Sequence, residues 1–207
     1  DVIPTPYDQD TYKIEEPIND DERWVSLFIS SSRGMSHEIV RHGDFTAISQ
    51  RSTRYVDESS SPWVEHPLIT QYREKWYCEG VPDTETSNNL GLNVQVTARV
   101  TYDTIVKELE KFLIGKGLDK LTARKQSRGA ARGFLGNALK TELIFSANVS
   151  QWRRMIKQRS SLFADAEIRV LFEKIIRELK KSRYADSFND ITLVPSPDGI
   201  GNVAKLE

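Results

Sequence analysis

This sequence is short of cysteine, of long apolar runs and of any surplus of positive charge. Its 207 residues include one cysteine, Cys78, so no disulfide can form within the chain, and we expect a reducing compartment, the cytoplasm. No apolar run approaches the length of a membrane span, and no signal peptide is expected. The 29 basic residues are balanced by 30 acidic ones, whereas proteins that bind nucleic acid by neutralising phosphates usually have a basic surplus. We therefore expect neither a membrane nor a nucleic-acid partner.

The lone cysteine is not in a setting that activates a thiol. A nucleophilic cysteine needs a neighbouring base or cation that stabilises its thiolate. Cys78 is flanked by Trp76, Tyr77 and Glu79, none of which is such a group, and no histidine is near it in sequence. We predict that Cys78 is not catalytic, and we predict no metal site.

Composition divides the chain into a lead-in and one domain. Residues 1–22, rich in Pro, Asp and Thr, are predicted to be an extended lead-in, and residues 23–207 a single domain. A domain of this length can bury a real hydrophobic core, and apolar residues make up 38% of the chain. Residues 57–92 contain three prolines, two glycines, four serines and two asparagines, and we predict that they form a surface excursion.

The first part of the domain is predicted to run strand, helix, loop. Residues 23–30 are bulky and β-branched, which is typical of a strand. Ser31 and Ser32 can cap a helix that continues to about His42. Gly, Asp, Thr and Ser in residues 43–55 predict a loop. The charged side chains of this stretch would then lie at the ends of elements, where binding groups are common.

The rest of the domain is predicted to be mainly helical. Residues 94–100 alternate like a strand, but the apolar spacing that follows, as far as Leu113, is helical. We therefore prefer one long helix that ends near residues 115–117. The remaining predicted elements are a helix at 119–135 capped by Asp119, a strand at 138–147, helices at 150–159 and 164–182, and a strand at 190–194.

A dense group of cations and short polar side chains lies between Ser32 and Tyr55. Forked guanidinium groups beside hydroxyl and amide side chains suit a phosphate dianion attached to a polar ring. The alternative is a solvated basic turn, and composition alone does not decide between the two. The members of the group are Arg33, His37, Glu38, Arg41, His42, Ser49, Gln50, Arg51, Ser52 and Arg54.

A second basic group lies in the second half of the chain. Arg128 and Arg132 share one face of the helix predicted at 119–135, where like charges repel unless an anion lies between them. Two basic groups separated by one predicted strand fit convergence on one anionic ligand, and a solvated basic helix face is the alternative. The group also includes Arg124, Lys125, Asn148, Arg153, Arg154 and Arg159.

Two blocks of sequence resemble a known family. RHGDFTAISQRSTRY resembles the signature loop of the flavin-dependent thymidylate synthases, an Arg-His pair followed by Ser-Gln-x-Ser-x-Arg-Tyr. RKQSRGAARGFLGNALKTELIFSANVSQWRRMIKQRSSLFADAEIR resembles the C-terminal half of the same family, most closely its actinobacterial type. The resemblance runs from about Arg23 to the C-terminus, apart from 57–92. It implies an α+β fold, with a mixed or antiparallel sheet flanked by long helices, and a homotetramer whose active sites are shared between subunits.

The resemblance implies a complete site for deoxyuridine monophosphate. Arg159 stands where the family places an arginine beside the uracil ring, and its implied catalytic role is to stabilise the negative charge that makes C5 nucleophilic. No cysteine attacks the ring in this family, which agrees with the setting of Cys78. The other positions that match nucleotide-binding places are Arg33, Glu38, Gln50, Ser52, Arg54 and Arg132.

The flavin side departs from the family pattern. Arg41, His42 and Asn148 match positions that hold the flavin, and Arg154, which replaces a common Asn or His, is assigned to the cofactor with them. The family's usual N-terminal segment is not recognisable in residues 1–22. The other departures are Gly43 in place of a common Arg, one residue inserted between His42 and Ser49, Ser150 in place of a common Arg, and Phe163 in place of a common His.

The family activity implied is reductive methylation of deoxyuridine monophosphate. Methylenetetrahydrofolate gives its one-carbon unit to C5, reduced FAD gives a hydride, and NADPH re-reduces the flavin. One alternative, suggested by the altered flavin side, is a pyrimidine deoxynucleotide 5-hydroxymethylase in which water traps the transferred carbon. A second alternative is a non-catalytic homologue that binds pyrimidine nucleotides. Uracil and cytosine both remain open as the base.

Overall fold

The computed structural model describes residues 2–4, 19–71 and 84–206, with the side chains of 19–71 and 94–206. Contacts within the chain divide it into two compact units. The single domain expected over 23–207 therefore contains two such units. The first comprises Asp1–Gln50, His66–Leu68 and Thr141–Glu207, and the second comprises Arg51–Glu65 and Ile69–Lys140.

Helices and small antiparallel sheets make up the described residues, which confirms the α+β class. The strands are β1 (Val2–Pro4), β2 (Trp24–Ser32), β3 (Thr46–Gln50), β4 (Lys140–Asn148), β5 (Ile191–Pro195) and β6 (Asn202–Leu206). The helices are α1 (Arg33–Ile39), α2 (Thr84–Gly115), α3 (Lys120–Ala131), α4 (Val149–Arg159) and α5 (Ala166–Leu179), with short 3-10 helices at Arg132–Phe134 and Ala185–Phe188.

The first unit is built on a four-stranded sheet with the order β1-β2-β4-β3. β1 is antiparallel to β2, and β3 is antiparallel to β4, with Thr46 opposite Ala147 and Gln50 opposite Leu143. Along β4 buried and half-buried residues alternate, as expected when one face of a strand packs on the core. β3 is an edge strand, and four of its five residues are exposed.

The core of the first unit lies between this sheet and helices α4 and α5. Trp152 of α4 is fully buried and meets Phe145 of β4 edge-on, with ring centroids 5.2 Å apart. Its Nε1 donates to the backbone oxygen of Val25 at 3.1 Å, so the indole is fully satisfied. The apolar stripe of α5 is buried as its spacing predicts, with Ile168, Leu171, Phe172, Ile175, Ile176 and Leu179.

Side-chain caps begin the helices near the predicted positions. Ser32 Oγ accepts from the backbone N–H of Met35 at 3.1 Å, and α1 follows directly. Asp119 accepts from two backbone N–H groups in the first turn of α3. Such caps satisfy donors that have no partner within the helix. The predicted starts of α1 and α3 are confirmed.

The loop predicted over residues 43–55 is wrong in its middle, where β3 lies. β3 is mostly exposed, so its side chains show no buried alternation, and the strand exists because its backbone pairs with β4. The predicted last strand is confirmed as β5, but its partner β6 was missed. The chain reverses between them through Gly199 and Gly201, whose φ angles of 75° and 60° suit glycine.

The second unit consists mainly of α2 and α3. The helix preferred over a strand at 94–100 is confirmed, and α2 is followed by Gly117 at φ 93°. Although α2 has 32 residues, neither it nor another helix of the described chain is long and apolar enough to cross a bilayer. The buried core is small, with Tyr102, Val106 and Ala131. Large apolar side chains left exposed are Val94, Val96, Val100, Phe112, Ile114, Leu121 and Phe134.

The predicted surface excursion over residues 57–92 is varied in structure. Near its start Glu58 and Ser61 are buried, and the Ser61 hydroxyl donates to the Glu58 carboxylate at 2.5 Å. Residues 84–92 form the beginning of α2. Residues 72–83, which include Cys78, lie outside the described part of the chain.

Arg169 of α5 anchors the turn between β5 and β6. Its side chain is only 2% exposed, pairs with the Asp198 carboxylate and donates to Ser196 Oγ at 2.5 Å. The hydrogen bond from Arg169, helped by one from Ser196, holds the pKa of Asp198 well below its usual range. The pair is therefore charged at neutral pH, and its stabilisation is lost only as falling pH protonates Asp198.

We predict that Asp198→Ala lowers the free energy of unfolding by about 2 kcal/mol, because it leaves the buried Arg169 guanidinium without its carboxylate. The loss is below that of a fully buried pair because Asp198 is 38% exposed and Ser196 remains as an acceptor. Asp186→Ala, which removes an exposed partner of Arg23, is the control and should cost at most about 0.5 kcal/mol. Urea unfolding measures both, and equal losses would contradict the anchoring role.

Candidate functional site

Arg159, the predicted catalytic residue, ends α4 and reaches the end of α1. Its Nη1 lies 2.9 Å from Glu38 Oε2, and its Nε donates to His42 Nε2 at 2.9 Å. Its Nη2 is 3.5 Å from the backbone oxygen of Glu38. Glu38 lies in the last turn of α1, and His42 follows shortly after that helix. Arg41 joins them through Glu38, and we call these four residues the Arg159 cluster.

Glu38 is shared between two cations. Its Oε1 lies 2.9 Å from Arg41 Nη1, while Oε2 faces Arg159. One carboxylate therefore balances one of two guanidinium groups, and with a neutral His42 the cluster keeps a net positive charge. Arg41 is largely exposed and Arg159 half-buried, so this charge is open to an anionic or electron-rich ligand.

His42 is held in its neutral form. Burial lowers its pKa most, and the cations Arg159 and Arg154 lower it further, against the opposing effect of Glu38. A neutral imidazole has one nitrogen that accepts a hydrogen bond and one that donates. The Nε–H of Arg159 points at Nε2, so Nε2 is the acceptor and the ring proton belongs on Nδ1.

Gln50 is oriented by two hydroxyl groups of the first unit. Its amide nitrogen lies 3.0 Å from Ser36 Oγ and 3.3 Å from Thr141 Oγ1. With both amide hydrogens directed at these partners, the amide oxygen is left as an acceptor, which suits a ring N–H. Arg33 is half-buried and is the first residue of α1, the helix whose last turn carries Glu38.

Arg154 is brought beside the altered part of the signature loop. Its Nη1 lies 3.6 Å from Asp44 Oδ2, next to Gly43, where the family has an arginine. Both side chains are exposed, so the pair leaves Arg154 accessible. The other departures from the family pattern are exposed too: Ser150 is in the first turn of α4, and Phe163, between α4 and α5, is 99% exposed.

The Asn148 side chain caps the N-terminus of α4. Its Oδ1 accepts from the backbone N–H of Gln151 at 2.8 Å, and its Nδ2 donates to the backbone oxygen of Asp21 at 3.2 Å. The residue is 1% exposed, so both ends of its amide are used within the chain. By capping α4, Asn148 helps to fix the position of this helix, which ends at Arg159.

The second unit presents Arg54 and Arg132 near α3. A Cβ added at Gly129 would lie 3.7 Å from Arg54 Cγ, so the Arg54 side chain crosses this helix at a glycine. Ser52 Oγ accepts from the backbone N–H of Arg54 at 3.4 Å. Arg132 is the C-cap of α3, and both arginines are exposed. Neither has a carboxylate partner among the described residues, so both charges are available to an anion.

Arg128, on the same helix, has a different position. Its Nη1 donates to the backbone oxygen of Tyr55 at 2.6 Å, and its Nη2 lies 3.1 Å from Asp57 Oδ2. Burial alone would raise the pKa of Asp57, but hydrogen bonds from Ser59 and the Arg128 cation lower it overall. Arg128 therefore holds the chain that follows Arg54 against α3.

Comparison with known proteins agrees with the signature. Residues 25–182 match the model of the family described as thymidylate synthase complementing protein. The chain belongs to this family. The resemblance to flavin-dependent thymidylate synthases is confirmed, since relatives that carry this name are about one-third identical to the chain, the first at 35%.

Three mycobacterial relatives, each named flavin-dependent thymidylate synthase, illustrate the likeness. The Mycobacterium marinum protein is 35% identical over 156 residues, which are 75% of this chain and 57% of the relative. The Mycobacterium tuberculosis H37Rv protein is 34% identical over 156 residues, with the same shares of 75% and 57%. The Mycolicibacterium gilvum protein is 33% identical over 176 residues, 84% of this chain and 64% of the relative. The chain thus spans less than two thirds of their length.

Sequence reasoning missed the acidic partners of two arginines, Arg154 and Arg128. Asp44 pairs with Arg154, and Asp57 pairs with Arg128. An acid beside Gly43, where the family's arginine is absent, was a local signal for the first pair. No local signal connects His42 with Arg159, because they are 117 positions apart and meet only when α1 and α4 pack in one unit.

We predict that Asn148→Ala lowers the free energy of unfolding by about 1 kcal/mol, because the first turn of α4 loses its side-chain acceptor. Asn148→Ser keeps a capping hydroxyl and should lose less than about half of that. Urea unfolding followed by tryptophan fluorescence compares the two. An unchanged stability in Asn148→Ala would show that the amide is not needed as a cap.

Proposed function

We propose that the protein transfers a one-carbon unit from methylenetetrahydrofolate to C5 of deoxyuridine monophosphate and completes it as a methyl group with a hydride. The names of the relatives support this reaction class. The observation that carries the proposal is the Arg159 guanidinium, fixed between Glu38 and His42 at 2.9 Å from each. A cation held in this way is preorganised to stabilise charge on a pyrimidine ring.

In this reaction Arg159 acts on the uracil ring. C5 forms a bond to the methylene carbon, the bond between that carbon and the folate nitrogen breaks, and C5 loses its proton. Negative charge develops on the ring carbonyl oxygens as C5 becomes nucleophilic. The remaining N–H groups of Arg159 donate to such an oxygen and stabilise that charge, an effect that is strong in a partly desolvated site.

We propose nucleotide-binding residues within each of the two units. In the first unit we assign Arg33, Glu38 and Gln50, and the free Gln50 oxygen suits the ring N–H of uracil. In the second unit we assign Ser52, Arg54 and Arg132, whose two exposed guanidinium groups suit a phosphate dianion. In a tetramer these residues can belong to one subunit or to neighbouring subunits.

The residues that we assign to the flavin include two exposed cations, which suit the negatively charged part of FAD. Arg41 and Arg154 are exposed and suit the cofactor's diphosphate, and neutral His42 lies beside them. When bound, reduced FAD supplies the hydride and is re-reduced by NADPH. Asn148 serves the cofactor indirectly, by placing α4.

A homotetramer with sites shared between subunits is part of the proposal. The exposed apolar side chains of the second unit support it, because a monomer rarely leaves so many large apolar groups in water along one region. A groove of about 400 Å³ in that unit is lined by residues of α2 and by Phe134. A second helix-bearing subunit fits such a surface.

A second candidate is 5-hydroxymethylation of the same nucleotide. It is favoured by Gly43 in place of an arginine and by the exposed Arg154–Asp44 pair, which put a polar, solvated surface where the family binds flavin. Water would then add to the transferred carbon, and no net hydride would be needed. The nucleotide site is the same in both reactions.

The mass of the product tests the proposal. With deoxyuridine monophosphate, methylenetetrahydrofolate, FAD and NADPH, we expect the nucleotide to gain the mass of one CH2 group. A gain of CH2O would support hydroxymethylation, and bound but unchanged nucleotide would indicate a non-catalytic homologue. Arg159→Ala should reduce turnover by roughly 100-fold to 1000-fold, as for loss of a donor to a developing oxyanion. Its circular dichroism should match that of the unaltered protein.

We predict that Arg132→Ala weakens binding of deoxyuridine monophosphate by about 2–3 kcal/mol, which corresponds to roughly 30-fold to 150-fold in Kd, because a charge-assisted contact to phosphate is lost. Arg124→Ala is the matched control, since Arg124 lies on the same helix and faces Glu110 at 3.6 Å. Calorimetric titration with the nucleotide compares them. Equal affinities of the two variants would remove Arg132 from the site.

A further inference from the structure

The contact between His42 and Arg159 has a defined polarity. Arg159 Nε carries a single hydrogen, and His42 Nε2 lies 2.9 Å from it. A protonated imidazole has no acceptor nitrogen, so this hydrogen bond exists only with neutral His42. The groups that face His42 come from both neighbouring helices: Glu38 on α1, and Arg159 and Arg154 on α4.

Three acceptor atoms from two residues, one on each guanidinium nitrogen, fix the plane of the Arg159 guanidinium. The Glu38 carboxylate accepts from Nη1, the Glu38 backbone oxygen accepts from Nη2, and His42 Nε2 accepts from Nε. Arginine has five N–H groups in a rigid planar fork. The described residues therefore leave one N–H group on each of the two terminal nitrogens for a ligand, and we call these two the outer N–H groups.

Glu38 alone would hold Arg159 less firmly. Its carboxylate is shared with Arg41, whose Nη1 is 2.9 Å from the second oxygen. Without His42, Arg159 would keep the 2.9 Å contact of Nη1 and the long 3.5 Å contact of Nη2, and a guanidinium held only through its terminal nitrogens can still move about those contacts. An acceptor on Nε stops this movement, because Nε lies at the base of the fork, next to the aliphatic chain.

We propose that His42 is a positioning residue for Arg159: its Nε2 holds Arg159 Nε so that the two outer N–H groups of the guanidinium face the pyrimidine ring. This role rests on the proposed function and differs from direct contact with the flavin. Misplacement of a catalytic group by about 1 Å can cost on the order of 100-fold in rate. His42 therefore acts on turnover, with little effect on nucleotide affinity.

Protonation of His42 removes this role. The imidazolium would lose its acceptor and place a second cation against Arg159 across 2.9 Å. Because the pKa of His42 is lowered in the folded protein, the neutral form persists below the ordinary histidine pKa of about 6.5. The acid limb of kcat against pH should thus lie below that value and should belong in part to His42.

Three variants separate positioning from other roles. His42→Gln places an amide oxygen close to the place of Nε2 and does not titrate, His42→Phe keeps an aromatic ring without an acceptor, and His42→Ala removes both. We expect kcat to fall roughly 30-fold to 100-fold in the Phe and Ala variants and to stay within about 5-fold in the Gln variant. The Kd of deoxyuridine monophosphate should change by less than about 3-fold throughout. The Gln variant should also lose the part of the acid limb that belongs to His42.

A spectroscopic readout keeps the test independent of activity. The Nε–H resonance of Arg159, assigned by its absence in Arg159→Lys, should exchange slowly with water in the unaltered protein and in His42→Gln, and rapidly in His42→Phe. If no nucleotide product forms at all, the proposed function fails while this readout still tests the contact. No rescue by Gln, or a loss of FAD affinity alone with kcat unchanged at saturating FAD, would overturn the positioning role.

Discussion

The pairing of Arg159 with Glu38 joins the end of α4 to the end of α1, and the account of this protein depends on it. A capping side chain holds the N-terminus of each helix, Ser32 for α1 and Asn148 for α4. The buried Trp152, whose indole N–H donates to the backbone oxygen of Val25, holds α4 against the sheet. A guanidinium at the end of a helix so fixed has little freedom, and its partners lie in the adjoining turn. The chemistry proposed for the site therefore rests on ordinary helix capping and core packing.

Several arginines of the described residues are paired with carboxylates, and others are not. Arg169, Arg153 and Arg128 are matched with carboxylates and serve the fold. The Arg159 cluster has two guanidinium groups for one carboxylate, and Arg54 and Arg132 have no carboxylate partner among the described residues. This explains how a protein of near-neutral net charge can present positive charge to a small anion without the basic surplus typical of nucleic-acid binders.

Local signals in the sequence predicted the parts of the fold that local physics decides. The cap at Asp119, the buried stripe of α5 and the helical spacing of α2 are examples. β3 and β6 were missed because their existence depends on backbone pairing with β4 and β5. The cations of the site could be named from the signature loop and the second block. Their contacts could not, because Glu38 and His42 reach Arg159 from the other half of the chain. The cap formed by Asn148 is a finding of the structure, and its assignment to the flavin stays a prediction.

A crystal structure of the protein with deoxyuridine monophosphate tests the central claim most directly. The account predicts that a uracil carbonyl oxygen lies within hydrogen-bond distance of an outer nitrogen of Arg159, while Nε stays about 3 Å from His42 Nε2. It would be contradicted by a nucleotide bound away from Arg159, or by an Arg159 that leaves His42 and turns from the ring.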